Sequence, residues 1–161
     1  QLNCTLQVTL NEDFKKPVYV YYEIDNFYQN HRRYVKSRDD DQLKGKIKTV
    51  DQLTNCDPIR TVKDLGFDFP LKNLKGEQLK PEDPANPCGL IARSFKLAAD
   101  SFALLDKTGR NITISPKGIA WSTDKEDLFK KPENADAIQW QDVTDERFIV
   151  WMRVAGMPNF K

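Results

Sequence analysis

The sequence predicts a mainly β fold, an antiparallel β-sandwich with helical and long-loop insertions. Three segments lead to this prediction: an alternating segment at 4–10, a β-branched and aromatic run at 18–22, and a strongly apolar run at 148–154. The chain has 161 residues, which suits one domain. Apolar residues make up 39% and charged residues 30%, a balance that favours a globular core over long disorder.

The first two of these segments are predicted to pair as a hairpin. In residues 4–10, Leu6, Val8 and Leu10 alternate with polar residues, which is typical of a half-buried strand. The segment 18–22 reads Val-Tyr-Val-Tyr-Tyr and has the composition of a neighbouring strand. A turn between them completes the predicted hairpin.

A helix is predicted after this hairpin. Asp25 or Asn26 is a candidate N-cap, and the apolar residues that follow, as far as Val35, recur at roughly helical spacing. Residues 36–41 are then predicted to form a charged surface turn.

The rest of the chain alternates loops with short elements. Residues 62–87 contain four prolines and many lysines, so a long exposed loop is predicted. A helix is predicted within 89–105, and short strands are predicted at 111–114 and 118–121. The run at 148–154 is apolar on both faces, which indicates a buried strand.

The residue types that carry catalysis are scarce, and no catalytic site is predicted. His31 is the single histidine, and no G-x-S-x-G motif accompanies it, so a structural hydrogen bond is favoured over a catalytic role. Asp39, Asp40 and Asp41 lack the alternate spacing of an EF-hand and are interpreted as a solvated charge run. Without a C-x-x-C motif or a glycine-rich phosphate loop, neither a metal nor a cofactor is predicted.

Charge and hydropathy exclude two further classes. The net charge of +1 gives no basic face for nucleic acid, and acidic residues directly follow the basic-aromatic run at 28–36. No apolar run reaches the roughly 18–20 residues of a transmembrane helix, and no signal peptide opens the chain. We expect the sequence to be an excised or processed piece of a longer protein.

Three cysteines, Cys4, Cys56 and Cys88, cannot all pair within the chain. Cys56 and Cys88 bracket the proline-rich loop, and linking them would stabilise the fold by roughly 3–4 kcal/mol. Two independent buried thiols are the alternative. Glycosylation sequons begin at Asn3 and Asn111, and together with the cysteines they favour the secretory route.

Four ordered blocks of sequence resemble the cell division control protein 50 family, also called the ligand-effect modulator family. The first joins the run at 18–22 to Asn-Phe-Tyr-Gln-Asn-His-Arg-Arg-Tyr-Val-Lys-Ser-Arg-Asp-Asp at 26–40, and the others lie at 87–92, 119–125 and 148–153. Carried over residue by residue, Cys56 and Cys88 match a family disulfide. Cys4 matches a cysteine whose partner lies upstream of this chain.

This resemblance implies an accessory function. Family members are non-catalytic β-subunits of type IV P-type ATPases, the flippases that translocate phospholipid, and contact the lipid only indirectly. They act like chaperones: the catalytic subunit needs them for folding, endoplasmic reticulum exit and transport activity. A secreted carbohydrate- or ligand-binding β-sandwich and a hydrolase using His31 are the alternatives.

The resemblance also implies a membrane setting. Members have two membrane spans joined by a large glycosylated ectodomain, which is a β-sandwich with helical and loop extensions. Residues 1–161 are therefore expected to be one partial ectodomain, with the spans outside the chain. It would face the lumen of the endoplasmic reticulum, Golgi or endosome, or the cell exterior.

The family signature admits two interpretations, an internal scaffold or a partner-facing surface. We favour the scaffold, because a flat partner surface seldom needs so many amides and guanidiniums so close together. The donors are Asn26, Gln29, Asn30, Arg32 and Arg33. The two arginines could bond carbonyls or carboxylates bidentately, and the aromatic members would anchor the run to the core. A buried polar group without a partner would cost roughly 1–3 kcal/mol. The signature residues are Asn26, Phe27, Tyr28, Gln29, Asn30, His31, Arg32, Arg33 and Tyr34.

Overall fold

Short helices joined by long loops make up the fold. The computed structural model describes residues 5–67, 70–98 and 103–158. The α-helices in this part of the chain are α1 (Arg32–Lys36), α2 (Asp40–Leu43), α3 (Leu90–Ala98), α4 (Ala135–Ile138) and α5 (Glu146–Met152).

Single helical turns supplement these α-helices. Three are 3₁₀ turns, Val50–Gln52, Thr54–Cys56 and Lys63–Leu65, and one is a π-helical turn, Asp124–Leu128. Turns of the π type are rare and occur frequently at functional sites. The π-helical turn contains the buried Asp124.

The predicted antiparallel β-sandwich is wrong for the described residues. They contain only isolated bridges: one at Ile24, and others between Thr61 and Pro84, Lys72 and Gln78, and Leu105 and Asn111. The predicted hairpin is absent as well: residues 5–22 are exposed throughout and form no strand, while Cys4 lies outside the described residues. An alternating pattern becomes a strand only where a neighbour completes the hydrogen-bond ladder, and no such neighbour lies within the described ranges.

The predicted buried strand at 148–154 is a helix instead, α5. The carboxylate of Asp145 caps it by accepting the backbone N–H of Arg147 at 2.9 Å. Because a short apolar run fits a buried helix as well as a buried strand, the cap and the helical spacing decide the outcome. The buried side chains of α5 are Phe148, Ile149, Trp151 and Met152.

Two helix predictions have different outcomes. The helix within 89–105 is confirmed by α3. The helix predicted from Asp25 or Asn26 begins later, because Asn26 has a left-handed φ of 57° and His31 is the N-cap of α1. The Nδ1 atom of His31 accepts the backbone N–H of Arg33 at 3.3 Å, so its described role is structural.

The loop predicted to be exposed at 62–87 contributes to the core. Leu65, Leu71, Leu79 and Ala85 within it are buried. The prolines predicted irregular backbone correctly, but irregular backbone does not have to lie outside the core. Burying each leucine contributes roughly 1.5–3 kcal/mol relative to leaving it in water.

Three shorter predictions also need correction. The charged turn at 36–41 is partly internal, since Ser37 and Asp39 are buried. The strand predicted at 111–114 is reduced to a single bridge, and the one at 118–121 is replaced by turns and bends. Local polarity and strand propensity fail here because contacts with distant segments decide burial and pairing.

The core is one cluster that joins α3 and α5 to buried residues of the long loops. The ring of Phe95 meets Phe148 edge to face, with centroids 5.4 Å apart, and lies 6.4 Å from the ring of Trp151. Ile91 is fully buried in the same layer. The aromatic contacts fix the angle between the two helices, and the family signature packs beside them.

Candidate interaction site

A disulfide closes the loop beneath the family signature. Cys56 and Cys88 are bonded, with their Cα atoms 5.7 Å apart, and both residues are buried. The alternative of two independent thiols is therefore wrong. Nothing in the described residues bears on Cys4.

Ser37 connects this disulfide to the start of α3. Its hydroxyl donates to the carbonyl oxygens of Cys56 and Asp57, at 3.1 and 2.9 Å. The same oxygen accepts the backbone N–H of Leu90 at 2.9 Å. One side chain thus joins three segments that are distant in sequence.

Gln42 holds the other edge of the same loop. It is buried, and its side-chain amide donates to the Ala85 carbonyl at 2.8 Å and accepts the Cys88 N–H at 2.9 Å. Its own backbone N–H bonds the carboxylate of Asp39, the N-cap of α2, at 2.8 Å. The Asp39 carboxylate in turn accepts a hydrogen bond from Nζ of Lys48 at 2.9 Å, and this hydrogen bond raises the pKa of Lys48.

Gln29 and Asn30 hold the segment that follows α5. The side-chain oxygen of Gln29 accepts the Ala155 N–H at 2.8 Å, and the amide of Asn30 donates to the Gly156 carbonyl at 3.0 Å. Gln29 is buried, so both halves of its amide need partners, and its nitrogen lies 3.4 Å from the Tyr34 hydroxyl.

Phe27 and Tyr34 anchor the signature to the core. The Phe27 ring stacks on Trp151, with centroids 6.1 Å apart, and meets the Tyr34 ring edge to face at 5.7 Å. The Tyr34 hydroxyl lies 2.7 Å from Oγ of Ser94, and burial raises the pKa of this phenol. The Phe27 N–H donates to the Pro158 carbonyl at 3.2 Å.

The remaining signature residues face solvent. Arg32 and Arg33 are exposed, and within the described ranges their guanidinium groups make no hydrogen bond or ion pair. The bidentate contacts expected of them are therefore not observed. Lys36 is exposed on the same helix, and Tyr28 is 56% exposed nearby in sequence. We call Arg32, Arg33 and Lys36 the basic turn.

Sequence reasoning missed the residues that bind the disulfide loop. Ser37 and Asp39 lie within the predicted surface turn at 36–41, and Gln42 follows it directly. A signal was present, because Asp39 followed three residues later by Gln42 fits the spacing of a helix-capping pair.

A second rigid cluster surrounds the start of α5. The carboxylate of Glu146 accepts three consecutive backbone N–H groups, from Gly118, Ile119 and Ala120, at 2.9, 2.9 and 3.0 Å. The hydrogen bond from Ala120, helped by those from Ile119 and Gly118 and by the charge of Lys125, lowers the pKa of Glu146 despite its partial burial. The loop at 118–120 is thereby fixed to α5.

The neighbouring cluster places an arginine over a tryptophan. Asp124 is only 2% exposed, and its carboxylate accepts two N–H groups from Arg153. The guanidinium carbon of Arg153 lies 4.9 Å from the centre of the Trp121 ring, a cation–π contact. Trp121 is nevertheless 67% exposed, so its outer face is accessible.

An open cavity of about 410 Å³, which we call the groove, lies between helices α1 and α2 on one side and the cluster of Asp124 and Arg153 on the other. No group of three or more His, Cys, Asp or Glu side chains in the described residues is arranged to hold a metal ion. Likewise, none of the helices described here is long and apolar enough to cross a membrane. The groove is lined by Val35, Arg38, Asp40, Leu43, Lys44, Asp124, Leu128, Phe129, Met152, Arg153 and Val154.

Asn111, the second sequon, is exposed beside a tight turn. The carboxylate of Asp106 accepts the N–H and the hydroxyl of Thr108 and the N–H of Arg110, at 2.8, 2.6 and 3.0 Å. The Thr108 hydroxyl is the largest of the causes that lower the pKa of Asp106 to about 2. Asn3 lies outside the described residues.

The described residues thus form a disulfide-closed, loop-rich domain whose buried amides hold distant segments and whose exposed residues include the basic turn and Trp121. A sequence model of the LEM3 (ligand-effect modulator 3) family / CDC50 family matches residues 1–161. The chain belongs to this family, which confirms the resemblance identified from its motifs.

Individual relatives agree with this family. The chain is 36% identical to ALA-interacting subunit 3 of Arabidopsis thaliana over 98% of its length and 43% of the relative. It is 34% identical to Cell cycle control protein 50A of Bos taurus, over 98% of the chain and 46% of the relative. It is 38% identical to the Phospholipid-transporting ATPase accessory subunit CRF1 of Saccharomyces cerevisiae, over 98% of the chain and 40% of the relative. The chain therefore spans less than half the length of these relatives.

Proposed function

We propose that this chain is an ectodomain segment of a non-catalytic β-subunit that serves a phospholipid-translocating P-type ATPase. The observation that supports this most directly is the match over 98% of the chain to a relative named as an accessory subunit of such an ATPase. In this proposal the subunit promotes folding, endoplasmic reticulum exit and transport activity of the catalytic subunit. Membrane spans outside these 161 residues attach it to the bilayer.

The two halves of the signature support different parts of this function. Gln29, Asn30 and Ser37 hold loops together and act as scaffold. The basic turn is rigidly placed by that scaffold but has no acidic partner in the described part of the chain, so it is suited to contact an acidic surface of the catalytic subunit. The alternative of a secreted carbohydrate- or ligand-binding module is not retained, because the chain belongs to a family whose relatives include an accessory subunit of a phospholipid-transporting ATPase.

Reversing two charges of the basic turn tests the partner contact. We expect Arg32→Glu combined with Arg33→Glu to weaken assembly with the catalytic subunit at least about tenfold, because like charges would then face each other. Melting temperature should stay within about 2 °C of the parent, since exposed substitutions change stability little. Co-purification of the full-length subunit with the ATPase measures the first quantity, and thermal unfolding the second.

A matched control is Lys75→Glu combined with Lys80→Glu, which makes the same change of charge at exposed positions outside the signature. This variant should assemble normally. Normal assembly of the Arg32 and Arg33 variant would place the partner contact elsewhere. A large loss of stability in that variant would assign the two arginines to the scaffold.

We also propose that the chain faces the lumen or the cell exterior and carries an N-linked glycan at Asn111. Its exposure next to the Asp106 turn supports access by the transferase. In a eukaryotic secretory host, Thr113→Ala should remove one glycan and make the protein migrate faster in gel electrophoresis. Thr113→Ser keeps the sequon and should retain the glycan. Identical mobility of both variants would contradict modification at this position.

A further inference from the structure

The groove combines an apolar floor with a charged rim. Leu43, Phe129 and Met152 are buried beneath it. Its volume of about 410 Å³ falls within the range of roughly 300–1,000 Å³ that is typical of small-molecule sites. A polar headgroup with a few attached methylenes fits this volume, whereas two complete acyl chains do not.

The rim carries donors that the fold leaves unused. Arg38 bonds Asp40 and the Met152 carbonyl through Nε and Nη1, which leaves Nη2 without a partner in the described residues. Arg153 bonds Asp124 through Nε and Nη2, which leaves Nη1. Lys44 is exposed, and no ion pair involves it within the described ranges. Three cationic side chains that line the groove therefore have N–H groups without a hydrogen-bond partner among the described residues.

The rim also carries one accessible anion. The side chain of Asp40 is 63% exposed although it pairs with Arg38 at 2.9 Å. Asp40 is the first residue of α2 and Lys44, four residues later, is its C-cap, so opposite charges occur one helical turn apart. The second carboxylate, Asp124, is enclosed by Arg153 and is much less accessible.

We propose that this groove binds the zwitterionic headgroup of a glycerophospholipid, with the phosphodiester at Lys44 and Arg153 and the ammonium group at Asp40. Cationic donors match phosphate oxygens, an exposed carboxylate matches an ammonium, and the apolar floor takes the first methylenes. An acidic peptide fits less well, because Asp40 and Asp124 would repel it. The chain would then contact phospholipid itself and not only through a partner.

This inference goes beyond the proposed accessory function and does not depend on it. Headgroup binding is measured on the intact chain without an ATPase. Failure to bind lipid would therefore not contradict the proposal of assembly with the ATPase. Failure to assemble would not contradict the proposal that the groove binds a headgroup.

The test is a titration of the intact chain with dihexanoyl phosphatidylethanolamine below its micelle concentration, followed by nuclear magnetic resonance. We expect saturable shifts at groove residues. Lys44→Gln should weaken binding about tenfold, because a charge-assisted hydrogen bond to phosphate is lost. Lys46→Gln is the matched control, since Lys46 pairs with Asp41 and does not line the groove. Thermal unfolding confirms that each variant is folded.

Headgroup identity provides a second, independent readout. The parent should bind the ethanolamine lipid more tightly than dihexanoyl phosphatidylglycerol, which lacks the ammonium, and Asp40→Asn should remove that preference. Glycerophosphoethanolamine should bind more weakly than the lipid because it cannot occupy the apolar floor.

Four results would overturn the proposal. These are the absence of saturable binding, equal affinity for inorganic phosphate and for the lipid, unchanged affinity after Lys44→Gln, and displacement of the lipid by an acidic peptide that binds more tightly.

Discussion

Replacing Gly89 by alanine is expected to lower the free energy of unfolding by at least about 3 kcal/mol, because backbone strain and a steric clash add together. Gly89 has a φ of +94°, a backbone conformation that residues with a side chain rarely adopt. An added Cβ would overlap the carbonyl oxygen of Ser37 and lie 2.6 Å from its carbonyl carbon. Both obstacles are backbone atoms, so neither can be relieved by a change of rotamer.

The cost should spread beyond the substituted residue. To admit a Cβ, the backbone at Ser37 would have to move, and its hydroxyl would lose alignment with Cys56 and Leu90. The start of α3 and the disulfide loop would then loosen together. Near-ultraviolet circular dichroism and urea unfolding of the variant measure this combined loss.

Gly109→Ala is the matched control. Gly109 has a similar φ of +81°, but nothing lies within 4 Å of the Cβ that alanine would add. Only the backbone strain remains, and we expect a loss of about 1 kcal/mol. Equal losses for the two variants would show that the close approach of Gly89 to Ser37 contributes nothing.

The sequence identified the family signature and the cysteine pair but not which polar residues in and beside the signature are buried. The sequence shows that positions 29 and 42 are glutamines, but the residues next to them in sequence do not reveal whether Gln29 or Gln42 is buried. Gln29 is buried because its partner is the backbone of Ala155, which lies far along the chain. Such a partner is supplied only by the folded structure.

Arg32 and Arg33 illustrate the opposite error. They were predicted to form an internal scaffold together with Gln29 and Asn30. The two amide residues do hold distant backbone, as does Ser37, whereas the two guanidinium groups are exposed. A short side chain holds two backbone segments closely and loses less conformational freedom than a long one on burial. The arginines therefore remain available for a partner.

The β prediction failed for a similar physical reason. Val18, Tyr19 and Tyr21 have strand propensity, but they are exposed, and no ladder forms around them among the described residues. Propensity for strands mainly reflects packing against cross-strand neighbours. In α5 the apolar run was equally compatible with both structures, and the Asp145 cap is consistent with the helix.

Removing the disulfide with Cys56→Ala and Cys88→Ala is expected to lower the free energy of unfolding by roughly 3–4 kcal/mol in the chain-entropy model. The two cysteines are 32 residues apart, so the bond closes a long loop. That loop carries the buried Leu65, Leu71 and Leu79. Urea unfolding of the double variant measures the loss, and non-reducing peptide mapping of the parent verifies the bond.

Gln42→Ala separates the covalent link from the hydrogen bonds that share its site. This variant keeps the disulfide but leaves the Ala85 carbonyl and the Cys88 N–H without their buried partner, which costs roughly 1–3 kcal/mol. If the disulfide mainly restricts the unfolded chain, a reducing agent should destabilise the Gln42 variant and the parent by similar amounts. If reduction costs the variant much less than the parent, the bond acts mainly by aligning the native loop with Gln42, and the chain-entropy explanation does not hold here.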